Sequence, residues 1–132
     1  MRRITVRTSD ADYLVEAEAV FIGDDLLVYI WGGDRPHIGA VAAAQPRPSL
    51  ADPDTVSATA SVLTYLGHKE DEVVKWAAEA IAAALDTNVV VTAGIHWDDL
   101  SAEAVGIVLS RCKEIVAKLL EALEGEAQGR RP

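Results

Sequence analysis

Apolar and polar residues alternate along five short stretches in the first half of the chain, as they do in strands that bury one face. These stretches are residues 4–8, 13–22, 26–31, 38–44 and 56–66. The third is apolar at successive positions, which indicates burial on both faces and predicts a central place in the sheet. Residues 45–54 hold three of the five prolines and are predicted to form a surface loop.

The period changes to that of a helix after residue 70. A first helix is predicted over residues 70–85, with an acidic first turn and an apolar stripe formed by Val73, Trp76, Ala77, Ala80, Ile81 and Ala84. Residues 89–95 are predicted to form a buried sixth strand. A last helix is predicted to begin after Ser101 as its N-cap and to bury a stripe of Val105, Val108, Leu109, Cys112, Ile115, Val116, Leu119, Leu120 and Leu123.

The order βββββαβα predicts an α+β fold with a single mixed, mainly antiparallel sheet and two helices packed on one face. We expect one domain over residues 1–124 and a disordered tail over residues 125–132. The helical connection predicts that the last strand pairs in parallel with the fifth.

Composition narrows the classes of function. A net charge of −9 and a pI of about 4.7 argue against nucleic acid as the main partner, because phosphate backbones require a basic face. The single cysteine, Cys112, excludes an intramolecular disulfide and a cysteine zinc site, and its place on an apolar stripe predicts a buried, inert thiol. No apolar run has the length of a membrane span and no leader pattern follows Met1, so we expect a soluble, cytoplasmic protein.

Three unusual loops are predicted to meet at one edge of this sheet. They are WGGDRPHIG at residues 31–39, LGHKEDE at residues 66–72 and GIHWDD at residues 94–99. Each loop carries one of the three histidines, and both helices begin at the same edge. Helix N-termini present free N–H groups and partial positive charge, which suit a phosphate or carboxylate.

The residue types in these loops favour a pocket for an anionic aromatic molecule. Glycines allow a close backbone approach, Arg35 and Lys69 add positive charge, and Trp31, Tyr65 and Trp97 offer flat faces for a ring. The candidate binding residues are Trp31, Gly32, Gly33, Asp34, Arg35, His37, Gly67, His68, Lys69, Glu70, His96 and Trp97.

Plainer roles compete with this interpretation. Asp34 and Asp98 could serve simply to cap turns, and Gly32 and Gly33 could serve simply to form a hairpin loop. Trp97 and Trp76 could pack in the core. The histidines could bind a divalent metal together with Glu70, Asp98 or Asp99, although no HxxxH or HExxH spacing supports it. No GxSxG motif or other committed catalytic set is present.

The motifs WGGDRPHIGAVA, GHKEDEVV and NVVVTAGIHWDDLS resemble the small D subunits that accompany UbiD-type hydroxyarylic acid decarboxylases. The resemblance runs from about Trp31 to about Ser101. It implies a prenylated-flavin chaperone that binds prenylated FMN and helps to mature or load the decarboxylase apoenzyme, with a flavin prenyltransferase as a second partner. It also implies a fold like that of proteasome assembly chaperones, which is often dimeric, and we expect a homodimer.

Two other classes of function stay open at this point. One is a small enzyme that uses His37, His68 or His96 in acid–base or metal chemistry. The other is a protein-binding scaffold that acts through an exposed strand edge or the last helix.

Overall fold

The computed structural model describes residues 2–65 and 70–130, and the side chains of those up to residue 126. Six strands and two helices follow one another as β1 (Arg3–Arg7), β2 (Val15–Ile22), β3 (Asp25–Gly33), β4 (Ala40–Pro48), β5 (Val56–Thr64), α1 (Asp71–Leu85), β6 (Val89–His96) and α2 (Ala102–Arg130). The predicted order of elements and the α+β class are confirmed.

The sheet is mixed and runs in the order β1-β2-β3-β6-β4-β5. Only the β3–β6 pair is parallel among the described strands; the other neighbours are antiparallel. The interior place predicted for β3 is confirmed. The predicted pairing of the last strand is wrong, because β6 inserts between β3 and β4. It runs in the same direction as β5 but is separated from it by β4.

The core lies between one face of the sheet and both helices. Alternate residues of the central strands are buried on this side, among them Ala17, Val28, Ile30, Ala42 and Val91. Helix α1 covers β4, β5 and β6, and α2 covers β1 and β2. We call the opposite side of the sheet, which no described helix covers, the open face.

Alanines determine how closely α1 approaches the sheet. Ala77, Ala78 and Ala82 of the helix are fully buried, and β4 turns Ala40 and Ala42 toward the same core. Small side chains on both surfaces let backbones pack closely, so a chain with few aromatic residues still builds a dense interior.

The predicted helix stripes are only partly correct. On α1, Trp76 was predicted to be a core residue but is 45% exposed, whereas Val74 is fully buried. On α2, the stripe is buried from Cys112 to Leu123, but Val105 and Leu109 are 44% and 54% exposed. Periodicity identifies an apolar stripe, but only the neighbouring elements decide which part of it is covered.

Two boundaries also differ from expectation. Strand β4 continues through Pro48, although residues 45–54 were predicted to be a loop. The β4–β6 pairing ends at Ala44, so Pro46 and Pro48 lie where β4 has no neighbour on that side and their missing N–H groups cost no hydrogen bond. Residues 125–130, the first part of the stretch predicted as a tail, continue α2 and include the helix-favouring residues Glu, Ala, Gln and Arg.

None of the helices described here is long and apolar enough to span a membrane.

Candidate functional site

The loops after β3 and β6 and the end of β5 share one edge of the sheet. Parallel strands β3 and β6 end side by side, with Gly33 opposite His96. Strand β4 starts at this edge, where Ala40 lies between Ala93 and Thr64. Helices α1 and α2 also begin here. Of the three predicted loops, residues 66–69 lie outside the described structure, and with them the candidates Gly67, His68 and Lys69.

The loop at residues 34–39 is fixed to β6 through its backbone. The N–H groups of Asp34 and Arg35 donate to the carbonyl of His96 at 2.8 and 3.3 Å. Gly39 donates to the carbonyl of Ala93 at 2.9 Å. The loop therefore lies directly against the end of β6.

Two glycines make this close approach possible. Gly33 has a φ of +91°, and a Cβ there would lie 2.0 Å from the carbonyl oxygen of His96. A Cβ on Gly94 would lie 1.6 Å from the carbonyl oxygen of His37. Both glycines thus serve the packing of the loop on β6, a requirement that exists without any ligand.

Glu70 connects all three segments of the edge. Its Oε1 accepts a hydrogen bond from the backbone of Ile95 at 3.2 Å and lies 3.2 Å from Nε2 of His37. Nδ1 of His37 lies 2.9 Å from the carbonyl of Arg35, so both ring nitrogens face oxygens that accept. The Glu70 side chain is 11% exposed, and its Oε2 is buried without a hydrogen-bond partner among the described residues.

A more exposed charged cluster surrounds Asp98. Nε2 of His96 lies 3.0 Å from one carboxylate oxygen, and the guanidinium of Arg35 lies 3.6 Å from the other. The hydrogen bond from His96 and the positive charge of Arg35 hold the pKa of Asp98 below its ordinary value. Arg35 remains 72% exposed, so its guanidinium is accessible to an anion in solution.

The aromatic candidates divide between the two faces of the sheet. Trp31 stacks on Tyr29 on the open face, with ring centroids 5.8 Å apart. Trp97 packs against the core on the helix side and meets Tyr13 edge to face at 5.4 Å. One ring therefore cannot contact both tryptophans in this arrangement, and Trp31 belongs to the accessible side.

A groove of about 610 Å³ lies on the open face directly beneath the loop. It is lined by Glu18, Leu27, Tyr29, Ile30, Trp31, Pro36, His37, Ile38 and Thr92. The hydroxyl of Tyr29 donates to Glu18, which raises the pKa of Tyr29 and lowers that of Glu18. This volume lies within the range of small-molecule sites.

Of the residues that line the groove, sequence reasoning named only Trp31 and His37 and missed Glu18, Leu27, Tyr29, Ile30, Pro36, Ile38 and Thr92. The alternation of β3 carried a usable signal, because Leu27, Tyr29 and Trp31 occupy every second position and must share a face. A groove of about 590 Å³ at the far end of the same face has no aromatic or basic lining residue, which makes it a poorer match to an anionic aromatic ligand.

The two helix N-termini differ in what they offer an anion. The Oγ of Ser101 accepts from the N–H of Ala104 at 3.1 Å, which confirms Ser101 as the N-cap of α2 and occupies that donor. The N-cap of α1, Glu70, makes no side-chain capping bond, but Asp71 and Glu72 place negative charge in its first turn. Within the described residues, no three His, Cys, Asp or Glu side chains form a group that could hold a metal ion.

Comparison with known proteins identifies the protein family of this chain. Residues 9–124 match the family model of the prenylated flavin chaperone LpdD-like domain, and the chain belongs to this family. Protein LpdD from Lactiplantibacillus plantarum is 26% identical over 122 residues, covering 91% of this chain and 85% of that protein. The resemblance found in the loop motifs is therefore confirmed.

A solved structure supports the fold independently. The crystal structure of a chaperone complex for yeast 20S proteasome assembly contains a chain that matches with a TM-score of 0.54. The match covers 96% of this chain and 99% of that chain at 13% identity, so it speaks for the fold alone. The expected likeness to proteasome assembly chaperones is confirmed.

Proposed function

We propose that this protein binds prenylated FMN in the cytoplasm and protects or delivers it to a UbiD-type decarboxylase apoenzyme, without decarboxylating a substrate itself. A flavin prenyltransferase would be the source of the cofactor. The observation that carries the proposal is an aromatic groove lined by Trp31, Pro36, His37 and Ile38 of the WGGDRPHIG loop, which also carries the exposed Arg35.

The groove suits the planar ring of a flavin. Trp31 and Tyr29 supply a stacked aromatic surface, and Leu27 and Ile38 add apolar contacts. Ile38 is 58% exposed, and a bound ring would remove part of this apolar surface from water. An open groove also allows release, which a carrier requires.

The phosphate of prenylated FMN would lie on the side of the groove that faces the loop at residues 34–39. Arg35 can exchange its long contact with the exposed Asp98 for a bidentate contact with a phosphate. Gly33, Asp34, Glu70 and His96 would act mainly by fixing the loop and the end of β6, and His37 would do so while also lining the groove. Gly32 and Trp97 pack together on the helix side. Gly67, His68 and Lys69 remain candidates from the sequence.

One observation favours the enzyme alternative. His96 and Asp98 form a hydrogen-bonded pair with side chains 46% and 50% exposed, an arrangement that acid–base catalysis could use. The two proposals differ in what is consumed: a carrier retains its ligand unchanged, whereas an enzyme turns it over.

Co-expression with a flavin prenyltransferase tests the carrier function. We expect the purified protein to show a flavin absorbance spectrum and to release prenylated FMN that mass spectrometry identifies. Trp31→Ala should reduce retention at least about tenfold through loss of stacking on the flavin ring, and Arg35→Ala should weaken it similarly through loss of the phosphate contact. Trp76→Ala serves as the matched control, because it also removes a tryptophan that is partly exposed, but from helix α1 on the other side of the sheet from the groove.

Delivery is measured by adding the loaded protein to decarboxylase apoenzyme and following the onset of decarboxylation. Retention of no flavin by the wild type, even with the cofactor in excess, would refute the carrier proposal. Chemical conversion of the flavin that His96→Ala abolishes would favour the enzyme instead.

A further inference from the structure

One carboxylate reaches the aromatic groove from the side away from the loop. Of the groove-lining residues that the structure describes, Glu18 is the only acidic one. It lies on β2, on one side of β3, whereas the loop at residues 34–39 packs on β6, on the other side of β3. Glu18 and the loop therefore flank the stacked rings of Tyr29 and Trp31 from opposite sides.

Two neighbours hold the Glu18 side chain in place. Tyr29 lies directly opposite Glu18 in the β2–β3 register, and its hydroxyl donates to Oε2 of Glu18. Nη1 of Arg3, on β1, donates to Oε1 at 3.1 Å. The hydrogen bond from Tyr29 and that from Arg3 lower the pKa of Glu18, so the groove carries an ionised carboxylate at neutral pH.

The Glu18 carboxylate can accept more hydrogen bonds than these two. Each carboxylate oxygen has two lone pairs, so each oxygen keeps one acceptor position after binding Tyr29 or Arg3. The side chain is only 19% exposed, which limits how much water can occupy those positions. The ion pair itself adds little stability, because the Arg3 side chain is 58% exposed. The groove thus offers a fixed, charged acceptor that folding does not require.

We propose that Glu18 accepts a hydrogen bond from the imide N–H of the flavin ring and so sets the orientation of prenylated FMN in the groove. This inference rests on the proposed function. The pyrimidine end of a flavin carries the imide N–H between two carbonyl groups, whereas the benzenoid end carries no hydrogen-bond donor. A ring stacked on Trp31 would then direct its pyrimidine end to Glu18 and its benzenoid end to Pro36 and Ile38 of the loop.

The same contact would give the groove its selectivity. Aromatic stacking tolerates many ring orientations and many rings, and a small number of placed polar groups fixes one of them. An aromatic ring without an N–H donor would make no bond to Glu18. An aromatic acid that directs its own carboxylate at Glu18 would meet like charge. Glu18 would therefore favour a flavin over aromatic acids of similar size.

Retention of prenylated FMN by variants of the full chain tests the contact. We expect Glu18→Leu to weaken retention at least about tenfold, the effect of losing a hydrogen bond to a charged group. Glu16→Leu is the matched control and should retain the cofactor as the wild type does. Glu16 lies two residues earlier on β2, on the same face of the sheet, but is not among the groove-lining residues.

NMR of isotope-labelled prenylated FMN at saturation observes the imide proton itself, which a merely structural role of Glu18 would not move. We expect a proton shifted downfield and slow to exchange with water in the wild type. Glu18→Leu should abolish both properties. Glu18→Gln keeps the shape of the side chain but supplies a neutral acceptor, so it should fold even where Glu18→Leu does not and should move the proton signal upfield.

The possible failures separate the two proposals. A wild type that retains no prenylated FMN would overturn this inference together with the carrier function. Retention by the wild type and Glu18→Leu alike, equal loss with Glu16→Leu, or an imide proton signal unchanged in the Glu18 variants would overturn the role of Glu18 alone and leave the carrier function standing.

Discussion

Gly94 illustrates how much of the edge depends on single residues. It lies on β6 beneath the loop at residues 34–39, where the carbonyl of His37 occupies the space of a side chain. The same loop is tied to Glu70 through the His37 ring. Adding a side chain at Gly94 or removing the charge of Glu70 would therefore disturb a contact between segments that are far apart in sequence.

We expect Gly94→Ala to destabilise the protein by about 2–3 kcal/mol, because the new methyl group and the His37 carbonyl cannot both be accommodated. The free energy of unfolding is measured by urea denaturation. Gly106→Ala is the control, since a Cβ there meets nothing within 4 Å and should stabilise α2 by about 0.5–1 kcal/mol. Equal effects of both changes would contradict the tight packing at Gly94.

Asp98 predicts a pH dependence of stability. Because its pKa is lowered in the folded state, it contributes stability above the unfolded pKa of about 3.9 and loses this contribution as pH falls through the lower folded pKa. We expect Asp98→Asn to lower the melting temperature at neutral pH, with the difference from wild type disappearing in strong acid. Asp99→Asn is the control, because asparagine suits its φ of +56°. A difference that persists unchanged at low pH would exclude this origin.

At the scale of elements, α2 consists of a buried and an exposed part. The helix contacts β1, β2 and α1, and Cys112 and Leu123 are buried, whereas Val105 and Leu109 near its start are 44% and 54% exposed. The apolar stripe is continuous in sequence, so its spacing alone does not distinguish the exposed part from the buried part.

Two leucine-to-alanine substitutions on α2 should therefore lower the free energy of unfolding by different amounts. Leu119→Ala empties a fully buried position and should destabilise by about 2–5 kcal/mol. Leu109→Ala, at a residue 54% exposed, should cost less than about 1 kcal/mol. Chemical denaturation measures both. A large effect of Leu109→Ala in the isolated protein would mean that this residue is covered in solution.

At the scale of the whole molecule, the sheet separates a sealed side from an accessible one. The helices cover one face, while the open face carries the Trp31 groove. The stabilising core and the proposed binding groove thus lie on opposite faces of the sheet. Cys112, on the sealed side, reports on the integrity of the whole arrangement.

We expect the Cys112 thiol to react very slowly with a disulfide reagent in the native protein. Burial raises its pKa to about 11, with the negative charge of Glu70 adding to this effect, so the thiolate population at pH 8 falls roughly hundredfold. Reagent access further requires that α2 leave the sheet. The rate in urea is the reference, and native reactivity close to that rate would contradict the packing of α2.

The local elements were largely predictable because they depend on short-range periodicity. Six strands, two helices and the Ser101 cap all follow from apolar spacing and residue type within a few positions. The loop motifs also identified the family, since they carry unusual residues in a fixed local order. Strand β4 is the informative exception, because its prolines are tolerated only where β6 has already ended.

The arrangement of these elements required the tertiary structure. Hydrogen bonds between strands join residues distant in sequence, so no local pattern specifies that β6 lies between β3 and β4 or that Trp31 and Trp97 face opposite sides. The sequence by itself determined the elements, the inert cysteine and the chemistry of the loops. Only the folded chain decided which apolar residues are covered and where the aromatic groove lies, because each depends on what packs against it.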